Sequence, residues 1–338
     1  MKAAFVKSPF IFDLREIAKP SPGTGEVLID IKACGVCGTD VHIARINAEN
    51  GFSALGHEIG GVVAELGNGV IGISVGERVA VENSSPCGRC VPCENGDPET
   101  CENFLHLGGQ PGMAEFAVAP VQSVVKAGEM EYQEIALAEP LTVALHVTRT
   151  ADIPFNSDVL IMGPGTIGLM AVVVARRMGA RRVILAGRSH SKARLALGKR
   201  LGADRIIEVD RENLADAVAS VCPKGVHRAI VTSTPPSIPL VFPVMRYGGI
   251  VAFIGIDWGG QQNISFDANE FHFKKLQLRA SHAVPNSMFP MAFDLIRRGE
   301  IKPSDFISHT FPLKEAKEAS EVAAHDKASA IKVMIDCT

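Results

Sequence analysis

Two apolar periods divide the chain. From residue 1 to about 127, short runs of apolar positions are broken every few residues by Gly and Pro. The runs 26–33, 61–66, 77–81 and 114–118 read as strands, and their spacing predicts a β-rich barrel or sandwich. After about residue 144 the period changes. Runs at 159–162, 182–186, 205–209, 228–232, 250–254 and 276–279 read as buried strands, most of them separated by helical stretches such as 169–178, 192–201 and 213–221. Strands alternating with helices predict a parallel, doubly wound sheet, so the fold class is α/β with a β-rich partner domain. The tail from about residue 285 carries one amphipathic helix, one strand-like stretch and a helix after Pro312. It is too short to fold alone and is expected to return to the first domain.

Length agrees with this division. A chain of 338 residues makes two domains at roughly 100–200 residues each. The expected boundaries are 1–148, completed by 284–338, and 149–283. With 46% hydrophobic and 21% charged residues, the composition excludes disordered, collagenous and coiled-coil classes. The formal charge of −3 provides no field to hold nucleic acid or an anionic membrane, so any anion must be bound by a local site. The first residues lack the apolar core of a secretory signal. The uncharged stretch 159–175 is shorter than the roughly 20 residues of a spanning helix and contains Gly163, Pro164, Gly165 and Gly168. A cytoplasmic location without membrane attachment is expected.

The first chemical signal is Gly163-Pro164-Gly165-Thr166-Ile167-Gly168. It follows a predicted strand and opens a predicted helix, the context that places a dinucleotide pyrophosphate on a helix N-terminus. Gly165 lets phosphates approach the backbone, and Gly168 lets helix and sheet pack closely. An acidic residue about 20 positions further on would bind the adenosine ribose hydroxyls. Gly187 stands there instead, followed by Arg188. Loss of the carboxylate removes repulsion toward a 2′-phosphate, and a guanidinium can pair with it. Ser189 and Lys192 lie close enough in sequence to add to that contact. NADP(H) is therefore the expected cofactor, with NAD(H) the alternative if Arg188 is only a solvated loop charge.

The cysteines carry the second signal. Four of the eight fall at Cys87, Cys90, Cys93 and Cys101, flanked by Pro86, Gly88, Pro92 and Gly96. Four thiolates on a Gly/Pro-rich loop make a closed tetrahedral zinc site of structural type, with an iron–sulfur cluster as the alternative. A dispersed set comprises Cys37-Gly38-Thr39-Asp40-Val41-His42, then Gly56-His57-Glu58, then Glu139-Pro140. Catalytic zinc needs three N, S or O ligands and an exchangeable position, which Cys37, His57 and one or both glutamates can provide. Singly, each has a plainer explanation: Cys34 and Cys37 as core thiols, His57 as a core histidine, Glu139 as a helix-start carboxylate.

Together these motifs resemble the zinc-dependent medium-chain alcohol dehydrogenases, in particular the polyol and threonine dehydrogenase branch. The resemblance spans nearly the whole chain, through to Phe311-Pro312-Leu313. It implies a GroES-like catalytic domain interrupted by a Rossmann domain, two zinc ions per chain, and hydride exchange with a small alcohol or ketone. It further implies that Cys37, His57 and Glu139 hold the catalytic zinc, with Glu58 a direct or alternating ligand. Thr39 and His42 match a proton path to solvent, and Asp40 the carboxylate that orients the zinc histidine. Relatives are usually homodimers or homotetramers. The chain departs from the common pattern at Phe52-Ser53-Ala54-Leu55, which lacks a proline, at 110–116, and in a longer loop at 188–191. His282 either faces the cleft or ends its strand.

Overall fold

The computed structural model describes every residue except 47–50, 108 and 284–286. The chain divides into two units. One comprises Met1–Thr142, Ala283–Asp326 and Lys332–Thr338, and the other Val143–His282 with Lys327–Ile331. The expected boundary at 148 lies within a helix six residues past this division, and the one at 284 falls outside the described residues.

The first unit is built from short strands: β1 (Lys2–Lys7), β2 (Ile11–Glu16), β3 (Glu26–Gly35), β4 (Ser53–Ala54), β5 (Glu58–Leu66), β6 (Arg78–Val81), β7 (Ser84–Ser85), β8 (Leu105–His106), β9 (Phe116–Pro120) and β10 (Val124–Lys126). Three helices accompany them: α1 (Gly38–Ile46), α2 (Val91–Glu94) and α3 (Tyr132–Thr150). Strand β3 is the spine, pairing antiparallel with both β5 and β9. Leu28, Ile29, Ile31 and Ile59 are buried there, as are Ile135, Leu137 and Leu141 of α3. Glu139 stands mid-helix in α3, not at a helix start, and Pro140 follows it inside the same helix.

The second unit carries β11 (Asp158–Met162), α4 (Thr166–Arg177), β12 (Arg182–Gly187), α5 (Lys192–Arg200), β13 (Arg205–Glu208), α6 (Leu214–Ala219), β14 (Val226–Val231), β15 (Met245–Phe253), α7 (Ala268–Phe273) and β16 (Gln277–Ala280). Its six strands pair in the order β13-β12-β11-β14-β15-β16, all parallel. That order reverses beside β11, the position where doubly wound folds bind nucleotides. Every residue of β11 is buried, as expected of a strand covered on both faces. The uncharged stretch 159–175 is accounted for by this strand, the glycine turn and most of α4. No helix among the described residues is long and apolar enough to cross a membrane.

The chain then returns to the first unit through α8 (Phe289–Arg297), α9 (Pro303–Phe306), β17 (Ile307–Pro312), α10 (Ala316–His325) and β18 (Lys332–Asp336). Strand β18 runs antiparallel to β3, so the last strand of the chain is laid beside the end of β3 that leads to Cys37. Phe289, Phe293 and Phe306 are fully buried in this part. The sequence pattern predicts α8, β17 and α10 but misses the single turn α9 and the strand β18, which opens on a lysine.

Candidate active site

The end of β3, the start of α1 and the start of β5 converge because Gly35 pairs with Glu58 across the sheet. A side chain at Gly35 would overlap the Glu58 carboxylate, with a Cβ only 1.9 Å from Oε2. Gly56 has a φ of +89°, and a Cβ there would come within 2.7 Å of the Cys34 Sγ and the Met113 N. The glycines of this region thus make room for His57 and Glu58 to face Cys37. Cys34 is the buried core thiol of the pair.

Asp40 organises the turn. It is buried, accepts from the Cys37 N at 2.9 Å and the Gly56 N at 3.0 Å, and lies 3.7 Å from the His57 Nδ1. One carboxylate therefore fixes both segments that supply donors. Ligand atoms of Cys37, His57 and Glu58 lie within 4.8 Å of one another. Burial opposes a charge on His57, but Cys37 and Asp40 outweigh it and hold the imidazole pKa well above its ordinary value. A bound cation would offset the negative charge gathered around His57. Thiolate, imidazole and carboxylate form a donor set that fits zinc and leaves a fourth position open.

Glu139 stands outside that 4.8 Å set. Its carboxyl is pushed up to about 7 by burial and by Glu58, against the opposing pull of His57. Thr39 lies in the first turn of α1, with its N–H 3.5 Å from the Cys37 Sγ. His42 follows three residues later, and this spacing puts both on one side of the helix.

Two residues here are absent from the sequence reading. Lys332, on β18, is buried, pairs with the Glu58 carboxylate and donates to the Val36 O at 3.0 Å. Glu82, just past β6, is also buried, and its Oε1 has no hydrogen-bond partner among the described residues. Burial and the nearby Glu139 push its carboxyl up to about 8. A single lysine inside an apolar strand was the available sign for Lys332, since lysine is almost never fully buried unless paired. Nothing around Glu82 in the sequence distinguishes it from a surface glutamate.

The cysteine lobe closes separately. Ligand atoms of Cys87, Cys90, Cys93 and Cys101 also lie within 4.8 Å of one another. The Cys87 and Asn103 N–H groups each point at the Cys101 Sγ at 3.4 Å. Gly88, with φ +71°, turns the loop between the first two cysteines. Backbone N–H groups of Cys93 and Glu102 favour the thiolate of Cys90 and lower its pKa.

In the second unit, the glycine motif spans the turn from β11 to α4. Gly163 has φ +112°, and a Cβ at Gly168 would sit 2.0 Å from the Gly163 O, so strand and helix touch backbone to backbone. At Gly165, by contrast, a Cβ would meet nothing within 4 Å. The free space above this N-cap residue and the helix amides beyond it fit a pyrophosphate. The backbone N–H groups of Thr166 and Ile167 belong to that first turn. The Thr166 hydroxyl is committed elsewhere, donating to the Ile331 O at 2.9 Å. Gly187 ends β12, Arg188 is exposed with no side-chain partner among the described residues, and Lys192 opens α5. Ser189 is bonded to Asp210. His282 is exposed just past β16. A cavity of about 510 Å³ opens past β14 and β15, lined by Pro235, Ile238, Phe253, Gly255 and Trp258 among others.

Comparison with known proteins agrees with this geometry. Residues 23–129 match the alcohol dehydrogenase GroES-like domain, and residues 166–298 the zinc-binding dehydrogenase domain. The L-threonine 3-dehydrogenase of Idiomarina loihiensis is 31% identical over 91% of this chain and 92% of its own length. The chain belongs to the zinc-dependent medium-chain alcohol dehydrogenases. It is an NAD(P)-dependent oxidoreductase of alcohols. Among solved structures, the dehydrogenase is similar to the rspB alcohol dehydrogenase of Escherichia coli CFT073 in complex with NADH. The two share 30% identity over 99% of both chains, with a TM-score of 0.89. It is also similar to a zinc-binding dehydrogenase of Sinorhizobium meliloti 1021 bound to NADP. Identity there is 28%, over 99% of this chain and 98% of that one, with a TM-score of 0.87.

Proposed function

We propose that the dehydrogenase exchanges a hydride between NADP(H) and a secondary alcohol, polyol or sugar derivative, or the matching ketone. Two zinc ions per chain would serve it. Cys37, His57 and Glu58 or Glu139 would hold a catalytic ion, and Cys87, Cys90, Cys93 and Cys101 a structural one. The first unit is then the catalytic domain and the second the nucleotide domain, working as a cytoplasmic homodimer or homotetramer. The observation that carries the reading is the convergence of Cys37, His57 and Glu58 within 4.8 Å of one another.

When bound, zinc supplies a Lewis acid for the substrate oxygen and the nicotinamide ring supplies the hydride acceptor or donor. The chain does the rest. Asp40 keeps Cys37 and His57 in register. The Thr39 hydroxyl takes the substrate proton and passes it along α1 toward His42, which exchanges it with solvent. Glycine-rich backbone at Gly163, Gly165 and Gly168 and the amides of Thr166 and Ile167 take the pyrophosphate. Arg188 favours the 2′-phosphate, assisted by Lys192, because its guanidinium is exposed and has no partner among the described residues.

The test is a panel of polyols, sugar acids and amino alcohols assayed by nicotinamide absorbance with both cofactors at fixed ionic strength. Turnover of at least one secondary alcohol is expected, with kcat/KM higher for NADP(H). Replacing Arg188 by Ala should lower that ratio roughly ten- to a hundredfold, the worth of one charge-assisted contact. Better efficiency with NAD(H) in the unmodified enzyme would overturn the NADP(H) assignment.

A further inference from the structure

We propose that Asp210 sets the balance between the two dinucleotides by acting through Ser189, supplying from the turn just past the next strand the negative group that position 187 lacks. The inference rests on the assignment of the adenosine ribose to the loop after β12.

Position 187 is sterically closed to an acid. A Cβ there would lie 2.5 Å from the Pro164 Cγ and 3.2 Å from the Leu195 Cδ2. The glycine motif and the missing carboxylate are therefore one packing solution, since Pro164 occupies the space a side chain at 187 would need. The neighbouring strand end lies alongside. Gly187 is in register with Glu208, and the Val209 N donates to the Gly187 O at 3.0 Å. One residue further on, Asp210 reaches back across the strand ends. Its Oδ1 accepts from the Ser189 N and its Oδ2 from the Ser189 Oγ, both at 2.7 Å. These bonds also hold the Asp210 carboxyl below its ordinary pKa, so it is ionised at neutral pH.

The consequence follows from counting donors. A serine hydroxyl has one proton, and here Asp210 takes it. What Ser189 turns outward is a lone pair, backed by a full negative charge. A lone pair accepts from a ribose 2′-hydroxyl and repels the oxygens of a 2′-phosphate. Arg188, exposed and unpaired beside it, does the opposite. Asp210 and Arg188 thus pull the preference in opposite directions, and Asp210 is a positioning residue that keeps NAD(H) usable.

Replacing Asp210 by Asn keeps the shape, removes the charge, and lets the amide donate to the Ser189 oxygen so that its hydroxyl proton turns outward. Calorimetric titration of the holoenzyme with adenosine 2′,5′-bisphosphate and with adenosine 5′-monophosphate reads the effect without turnover. The bisphosphate-to-monophosphate affinity ratio should rise roughly three- to tenfold in Asp210→Asn, the scale of one screened charge at contact range. Replacing Ser189 by Ala in the same background should remove part of that gain. An unchanged or lower ratio in Asp210→Asn overturns the proposal. Arg188→Ala in parallel separates the two readings. If it leaves the ratio unchanged while Asp210→Asn raises it, the Arg188 assignment fails and Asp210 stands. If it lowers the ratio while Asp210→Asn does not move it, Asp210 fails alone.

Discussion

Around Cys37 and His57 the buried acids meet burial in different ways. Glu58 is paired with Lys332, whose ammonium keeps its charge despite burial because Glu58 faces it. Burial and then Glu139 push the Glu82 carboxyl up to about 8, while burial and Glu58, against the pull of His57, push Glu139 up to about 7. For Glu82 the sign of the pH dependence is definite. The unfolded chain releases this proton near 4.5 and the folded one near about 8. Between those values the native state binds the extra proton, so this group lowers stability as pH rises, by at most about 1.4 kcal/mol per pH unit. Replacing Glu82 by Gln removes the slope. Thermal midpoints of the variant should match or fall below the unmodified protein at pH 5 and exceed it at pH 8. Parallel midpoint curves across that range would show that Glu82 does not titrate there.

At the level of elements, the glycine motif joins two different demands in six residues. Gly168 serves packing: any Cβ meets the Gly163 carbonyl. Gly165 has its Cβ direction open, the space that the proposed pyrophosphate contact needs. Gly168→Ala should therefore destabilise the protein by about 1–3 kcal/mol, the range for overpacking a tight contact, and lower its melting temperature. Gly165→Ala should melt with the unmodified protein yet bind NADP(H) at least about tenfold more weakly by calorimetry. Equal losses in both properties for both variants would contradict this division. The same contrast explains what could be read before the fold was known. Strands, helices and the glycine turn carry local patterns, so β11, α4 and β12 lie within a few residues of their expected places. The apolar period also reveals β14 and β15. Lys332 and Asp210 matter through pairings with Glu58 and Ser189, and each pairing depends on which strand lies beside which. Strand β18 meets β3 across some 300 residues of chain, and no local period encodes that neighbour. Glu139 was legible as a candidate ligand but not as a mid-helix residue, because Pro140 reads as a helix start.

For the whole molecule, the proposed function would divide the work of the two cysteine-containing sites between chemistry and stability. The Cys87–Cys101 lobe has little besides its thiols to hold it. Its α-helix, α2, has four residues with Cys90 as N-cap, a 3-10 turn follows at Pro98–Thr100, and neither segment has a buried residue. A structural zinc there contributes folding free energy directly. The Cys37 pocket is held independently of metal. The Cys37 N–H bond to Asp40 survives loss of the thiol, and Lys332 keeps Glu58 paired when no cation is present. Cys37→Ala should therefore lose one of two zinc ions by atomic emission and all turnover, while melting within a few degrees of the unmodified protein. Cys90→Ala should also lose one zinc, but its melting temperature should fall by about 5 °C or more, because a kcal/mol is worth about 2–4 °C in a folding unit of roughly 150–250 residues. Activity remaining in Cys90→Ala at low temperature would support the separation. If Cys37→Ala lost stability as Cys90→Ala does, the pocket would depend on its metal to fold, and the pairing of Lys332 with Glu58 would not be what holds it.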